Sequence, residues 1–295
     1  MYTFPNKLKN IARVLMLLGF IGLALGFLGA PKNVAEAKAM AATEHYGEGH
    51  GESSDHHEET HVDEFHAEKS HAEETHGSEA HGQEESHDSS HDEHLLHQLQ
   101  NKPWAALYVA AFFFFMISLG TLAFYAIQRA AQAGWSPVLY RVMEGITAYL
   151  LPGGIIVIVI LALSGMHFNH LFIWMDPEVV AHDKLIAGKV GFLNLPFFLG
   201  RAVFFLGGWT LYRYFSRKFS LAQDEAKDIS NHKKNFRISA GFLVFYIVTE
   251  SIMSWDWIMS IDPHWFSTLF GWYVFASMIV SAVTAIALIT IYLKS

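Results

Sequence analysis

The sequence predicts an all-α protein, a polytopic membrane helix bundle with six spans. Three observations predict it. Apolar runs of about 20 residues, enough to cross a hydrocarbon core, recur six times, near 11–30, 104–127, 145–166, 190–212, 238–260 and 267–293. Lys and Arg gather on alternate connections: the first ten residues with Arg13, the 128–144 and 213–237 connections and Lys294 together hold 13, whereas 167–189 and 261–266 hold only Lys184 and Lys189. Basic loops stay cytoplasmic. Both termini are therefore expected there, and the segment after the first span outside. Third, glycines recur in the middle spans (Gly145, Gly153, Gly154 and Gly165, then Gly191, Gly200, Gly207 and Gly208), where membrane helices pack by close backbone approach. The reading divides the chain into an anchor (1–30), a His- and acid-rich segment (31–103) and a five-span bundle (104–295).

The first run starts with Lys7, Lys9 and Arg13, a pattern shared by signal peptides and retained anchors. Leu28 is not small at the −3 position before Ala30, Pro31 would follow that cut, and the Ala37-Lys38-Ala39 site lies far downstream. A retained anchor is expected.

Residues 44–97 hold 13 of the 18 histidines and 17 of the 28 acids, with Lys69 their only base, for a net charge of −16. The remainder carries 19 basic and 11 acidic residues, net +8, so the overall charge describes neither part. A histidine recurs every five residues at His56, His61, His66, His71, His76 and His81. Five residues advance a helix by about 500°, so no single face collects these rings. With little to bury, the segment is expected to be disordered. It reads either as a solvated periplasmic spacer or as a weak collector of Zn, Cu or Ni through imidazole and carboxylate.

No cysteine is present, which excludes thiolate metal sites, cysteine-held iron–sulfur clusters and covalent c-type haem on this chain. No span carries a histidine at mid-depth, so a haem held between two helices by axial histidines is excluded as well. Nothing in the charge pattern calls for a nucleic-acid partner.

Within the bundle, Trp104, Trp135, Trp174, Trp209, Trp265 and Trp272 fall at or near span ends, as an interfacial aromatic belt requires. The Phe112–Phe115 run reads as lipid-facing or packing material. Pro152 and Pro196 are expected to kink their helices. The 167–189 connection is amphipathic and is expected to form a short helix on the outer surface. There His167 and His170 read either as an interface pair or as a binding face.

Ionised carboxylates are expensive inside a bilayer and usually functional. Glu250 and Asp256 both lie within the fifth span, with Asp262 and His264 just beyond it. Counted along the spans, Arg201 and Glu250 share a depth near mid-membrane, so an Arg201–Glu250 pair is expected. Its role reads as either a register-fixing ion pair or a proton- or quinol-site acid. Asp256 follows Glu250 by six residues, about 240° around a helix, so the two do not form one dyad. Asp256 is expected to be hydrated near the span end, with His264 outside. Glu250, Arg201, Asp256, Asp262 and His264 are thus the candidate proton-path residues.

The run SWDWIMSIDPHWFSTLFGWYVFASM (Ser254–Met278) resembles the smaller polysulfide-reductase-like membrane subunit of bacterial alternative complex III. The opening MYTFPNKLK, the single anchor and the His-rich spacer are similar too. The resemblance implies a bacterial inner-membrane subunit of a quinol:cytochrome c (or quinol:oxidase) oxidoreductase, with no metal centre of its own. Haem c and iron–sulfur subunits carry the electrons there, and a larger homologous membrane subunit is the better candidate for quinol oxidation. It also implies structural support and proton conduction for this chain, with a quinone (menaquinone or ubiquinone) as the one small molecule in question. Asp256, Asp262 and His264 fall within the matching run. The family core has about eight helices in two four-helix bundles, so this chain, ending at Ser295 after its sixth span, is expected to be the first part of a longer core. Two other readings stand beside this one: a purely structural assembly subunit, and a metal-cation transporter with a His-rich collecting loop.

Overall fold

The computed structural model describes the backbone of residues 6–47 and 83–294, with side chains at 9–41 and 96–293. The described residues are mostly helical, with no strand among them. Six helices are long and apolar enough to span a membrane: Lys9–Leu28, Leu96–Ala130, Ser136–Gly165, Leu195–Glu225, Ser230–Ile261 and Phe270–Leu293. All six apolar runs of the sequence are accounted for. The run His56–His81 lies outside the described residues.

The chain divides into two compact units, Met1–Pro103 and Trp104–Ser295. In the first, α1 (Asn6–Leu28) precedes α2 (Val34–Gly47). The entry to α2 is fixed by reciprocal capping: Asn33 Oδ1 accepts from the Glu36 N–H at 2.9 Å, and Glu36 Oε2 accepts from the Lys32 N–H at 2.8 Å. These bonds satisfy donors that a helix start otherwise leaves open. Helix α3 (Gln83–Ala130) contains Pro103, where the two units divide.

The second unit is a bundle of the later part of α3, α4 (Tyr140–Ile146), α5 (Leu150–Gly165), α8 (Leu195–Glu225), α9 (Ser230–Trp257) and α10 (Phe270–Lys294). Two short helices, α6 (Pro177–His182) and α7 (Lys184–Lys189), occupy the connection before α8. The third span is one continuous helical run interrupted by 3₁₀ turns. It is built as a 3₁₀ turn (Ser136–Leu139), α4, a second 3₁₀ turn (Thr147–Tyr149) and α5. Pro152 therefore sits in the first turn of α5, and Pro196 in the first turn of α8 behind the Asn194 cap, whose Oδ1 accepts from Phe197 N at 3.1 Å. At Pro196, proline in a first turn removes a donor that has no helical partner anyway. Pro196 opens a helix where a kink was expected, whereas Pro152 follows directly on the 3₁₀ interruption of its span.

Helices α8 and α9 run antiparallel with only residues 226–229 between them, so most of the basic 213–237 connection rides on helix. At the centre Phe115, Trp209 and Trp257 are fully buried, with ring centroids 5.8–6.2 Å apart. Trp209 and Trp174 thus belong to the core, not to an interfacial belt, whereas Trp135, Trp265 and Trp272 are about half exposed or more. The Phe112–Phe115 run splits as packing material does: Phe115 is buried, and Phe113 and Phe114 face outward. Phe172, Trp174 and Ile186 drop from the 167–189 connection into the core, so this segment caps the bundle as well as lining its surface. The closest backbone approach is at Gly120, where an added Cβ would lie 2.7 Å from the Met278 carbonyl oxygen.

Candidate functional site: a polar seam along α8 and α9

Helix α9 buries Asn235, Ser239, Phe242, Tyr246, Thr249, Glu250, Met253, Asp256 and Trp257. Their spacing of three or four residues makes one stripe. It faces Phe198, Ala202, Phe205, Trp209, Tyr212, Ser216 and Ser220 of α8. An ordinary core stripe would be apolar, and the polar members of this one fall into three groups.

The first lies where α8 begins and α9 ends. Arg201 Nε donates to Asp256 Oδ2 at 2.6 Å and Arg201 Nη2 to Asp256 Oδ1 at 2.9 Å, a bidentate pair. Asp256 is fully buried; Arg201 also donates to Phe192 O at 3.1 Å and packs over the Phe192 ring. The expected Arg201–Glu250 pair is therefore replaced by Arg201–Asp256, and Asp256 is not hydrated. The cause is the lean of helical side chains toward their own N-terminus. In antiparallel helices, Arg201 leans toward the end where α9 stops, Asp256 leans back to meet it, and Glu250 leans away. Ser260 Oγ donates to the Asp256 carbonyl and accepts from Trp174 Nε1 at 3.3 Å, so the capping connection closes over the pair.

The second group is Glu250 itself, 2% exposed, with no hydrogen-bond partner for Oε1. Beside it Trp209 Nε1 donates to Thr249 Oγ1 at 3.0 Å, and one turn back Tyr246 Oη contacts Met278 Sδ at 3.6 Å. A buried carboxylate oxygen without a donor is costly, and the surrounding helices offer it none.

The third group starts at the opposite, basic end. Arg141 Nη1 donates to Glu144 Oε2 at 2.6 Å, and Tyr125 Oη donates to Glu144 Oε1 at 3.1 Å. Ser216 Oγ contacts Tyr125 Oη at 3.4 Å and Asn235 Oδ1 at 2.6 Å. Ser239 Oγ lies 3.5 Å from Asn235 Oδ1 and bonds Tyr212 Oη at 2.7 Å. Arg129 is held beside this chain by Ser220 at 2.8 Å, by Glu144 at 3.9 Å and by the Tyr140 ring, 3.7 Å from its guanidinium carbon. The chain ends at Tyr212, whose ring stacks on Phe242 at 3.8 Å. From Ser239 to Glu250 is about 16 Å along the helix axis, and Phe242 and Tyr246 fill the interval.

Sequence reasoning missed this third group because it assigned 128–144 to a connection. The signal was present in the Tyr125/Arg129 and Arg141/Glu144 spacings of four and three, which place side chains together on a helix.

Asp262 and His264 stand apart from the seam, in the turn after α9. His264 Nε2 lies 2.5 Å from Asp183 Oδ2, its Nδ1 lies 3.6 Å from Asp262 Oδ1, and its backbone N–H donates to Asp262 at 3.1 Å. Asp183 caps α7, accepting from Ile186 N and Leu185 N; these donors, the Ile186 bond foremost, and the His264 ring hold its carboxyl below the ordinary value. Lys189 Nζ bonds Pro263 O, tying α7 to the same turn. His167, at φ 61°, occupies the left-handed region just after α5. No group of three His, Asp or Glu suited to a metal occurs among the described residues.

No protein-family model matches the chain, and no curated protein matches it.

Proposed function

We propose that this chain is an integral subunit of a quinol-oxidising respiratory complex of the bacterial inner membrane, and that it guides protons while supporting assembly. Its termini face the cytoplasm and the His-rich segment the periplasm. The complex reading rests on the resemblance carried by Ser254–Met278. Electrons pass through haem c and iron–sulfur centres of partner subunits, and the larger homologous subunit oxidises the quinol.

The proton role rests on Glu250, a buried acid with an unpartnered oxygen, set between a hydroxyl and amide chain on one side and the Arg201–Asp256 pair on the other. Such a carboxyl can take up and release a proton without breaking an ion pair. Phe242 and Tyr246 separate it from the Tyr212 end of the chain, so transfer across that interval requires water to enter during turnover. Arg201–Asp256, with every charge answered, acts as the register-fixing element, and this bidentate pair is what favours the structural reading for that end of the seam.

A quinone headgroup would find its best place in a cavity of about 520 Å³ at the same end, walled by Lys189, Phe192, Trp255, Ser260, Trp265 and Phe266. Lys189, whose ammonium also bonds the Pro263 carbonyl, brings a donor suited to a ring carbonyl.

The test is Glu250→Gln in the intact complex in liposomes, following quinol oxidation and proton movement together. Turnover that persists while proton translocation falls supports the reading. Normal values for both in a stably assembled complex reject it and leave the structural role.

A further inference from the structure

We propose a second site, independent of the proton reading: an anionic phospholipid bound in the groove between α5 and α8, its phosphate held by Arg213 and Arg217. The groove has a volume of about 600 Å³ and is lined by Leu151, Ile155, Val159, Val203, Gly207 and Leu211 among others, a wall of aliphatic side chains and open glycine surface that fits an acyl chain.

Its basic end is built by charge. Arg213 Nε donates to Thr147 Oγ1 at 3.2 Å, bridging α8 to the turn that leads into α5, two residues along from Leu211 of the groove wall. Arg217 follows one turn later on the same helix and is exposed. Like charges four residues apart repel, and neither arginine makes an ion pair among the described residues, where Glu144 is taken by Arg141 and Arg129, and Asp224 by Arg141. Lys218 adds a further positive charge at the same level. A phosphodiester answers this unneutralised pair, as basic sites between membrane helices on the cytoplasmic side bind anionic headgroups.

A polar residue of the groove wall supports the same occupant. Thr210 lines it, and its Oγ1, buried against the wall, has no hydrogen-bond partner. Thr121, Thr249, Thr284 and Thr290 instead close onto the carbonyl four residues back. Thr210 lies about 4.5 Å below Arg213 along the axis, the step from a lipid phosphate to its glycerol ester carbonyls.

The experiment presents the 295-residue chain in mild detergent with phosphatidylglycerol and phosphatidylcholine of matched acyl chains, and counts retained lipid by native mass spectrometry. One phosphatidylglycerol is expected to stay bound in preference to phosphatidylcholine. At about 1 kcal/mol per arginine near an anionic surface, R213Q and R217Q each weaken retention about five-fold and together about twenty-five-fold. G207L is expected to abolish it by filling the groove, since an added Cβ there meets nothing within 4 Å. Equal retention of both lipids, unchanged retention in the double variant or in G207L, or cross-links placing a partner protein on this face in the intact complex would each overturn the proposal.

Discussion

Removing Asp256 tests whether the Arg201–Asp256 pair sets the α8–α9 register. Asp256→Ala deletes two charge-assisted hydrogen bonds, at 2.6 and 2.9 Å, and leaves a guanidinium facing a buried void. Breaking a buried pair from one side costs about 3–5 kcal/mol. Arg201 keeps its bond to Phe192 O and is 17% exposed toward the capping connection, so it can turn outward. The lower end of that range, about 3 kcal/mol, is therefore expected. Replacing both partners by apolar residues, R201M/D256L, leaves no orphaned charge and is expected to recover most of the loss. A double-mutant cycle of R201M, D256L and R201M/D256L should give a coupling of at least about 3 kcal/mol, since each single variant strands a charge and the double does not. The assay is reversible unfolding in mixed micelles, titrated with a denaturing detergent and followed by tryptophan fluorescence, since Trp257 adjoins the pair. A coupling below about 0.5 kcal/mol, the usual scatter of independent sites, would refute the reasoning.

Two further perturbations are decided by local geometry. Gly120→Ala places a Cβ 2.7 Å from the Met278 carbonyl oxygen and should destabilise the α3–α10 contact by about 1–3 kcal/mol, whereas Gly145→Ala meets nothing within 4 Å and should gain about 0.5–1 kcal/mol from helix propensity; unfolding titrations of both distinguish them. Asp183 has its carboxyl held below its ordinary 3.8 by the α7 amides and His264, so its contribution is present above that value and fades as the pH falls through the depressed folded value. The unfolding midpoint of D183N should therefore lie below wild type by a constant amount at neutral pH, with the gap narrowing on acidification; a gap independent of pH would contradict the lowered Asp183 carboxyl.

Much of the architecture was legible because it depends on one-dimensional patterns. Apolar length located all six spans, and Phe113 and Phe114 turned outward as lipid-facing residues do. Glu250 could be singled out because a carboxylate in such a run is rare whatever surrounds it. Its relation to Arg201 was not legible. Depth alone matched the two, but depth counted in residues ignores that side chains lean toward their own helix's N-terminus, which sends Arg201 to Asp256. The Tyr125–Arg129–Arg141–Glu144 cluster was hidden for a related reason: hydropathy ends a span where charges begin, while the helix itself continues through them to Ala130 and resumes at Tyr140.

The sequence by itself determined the number of spans, the alternation of basic connections and the residues too polar for their setting. These follow from the cost of placing backbone and charge in hydrocarbon, which acts on each segment separately. Tertiary structure alone decided which acid the arginine neutralises, that Trp209 and Trp174 belong to the core, and that Glu250 is left with an unanswered oxygen. Those outcomes depend on the rotation and lean of one helix against another, set by the packing of Phe115, Trp209 and Trp257 at the centre and by the contact of Gly120 with Met278.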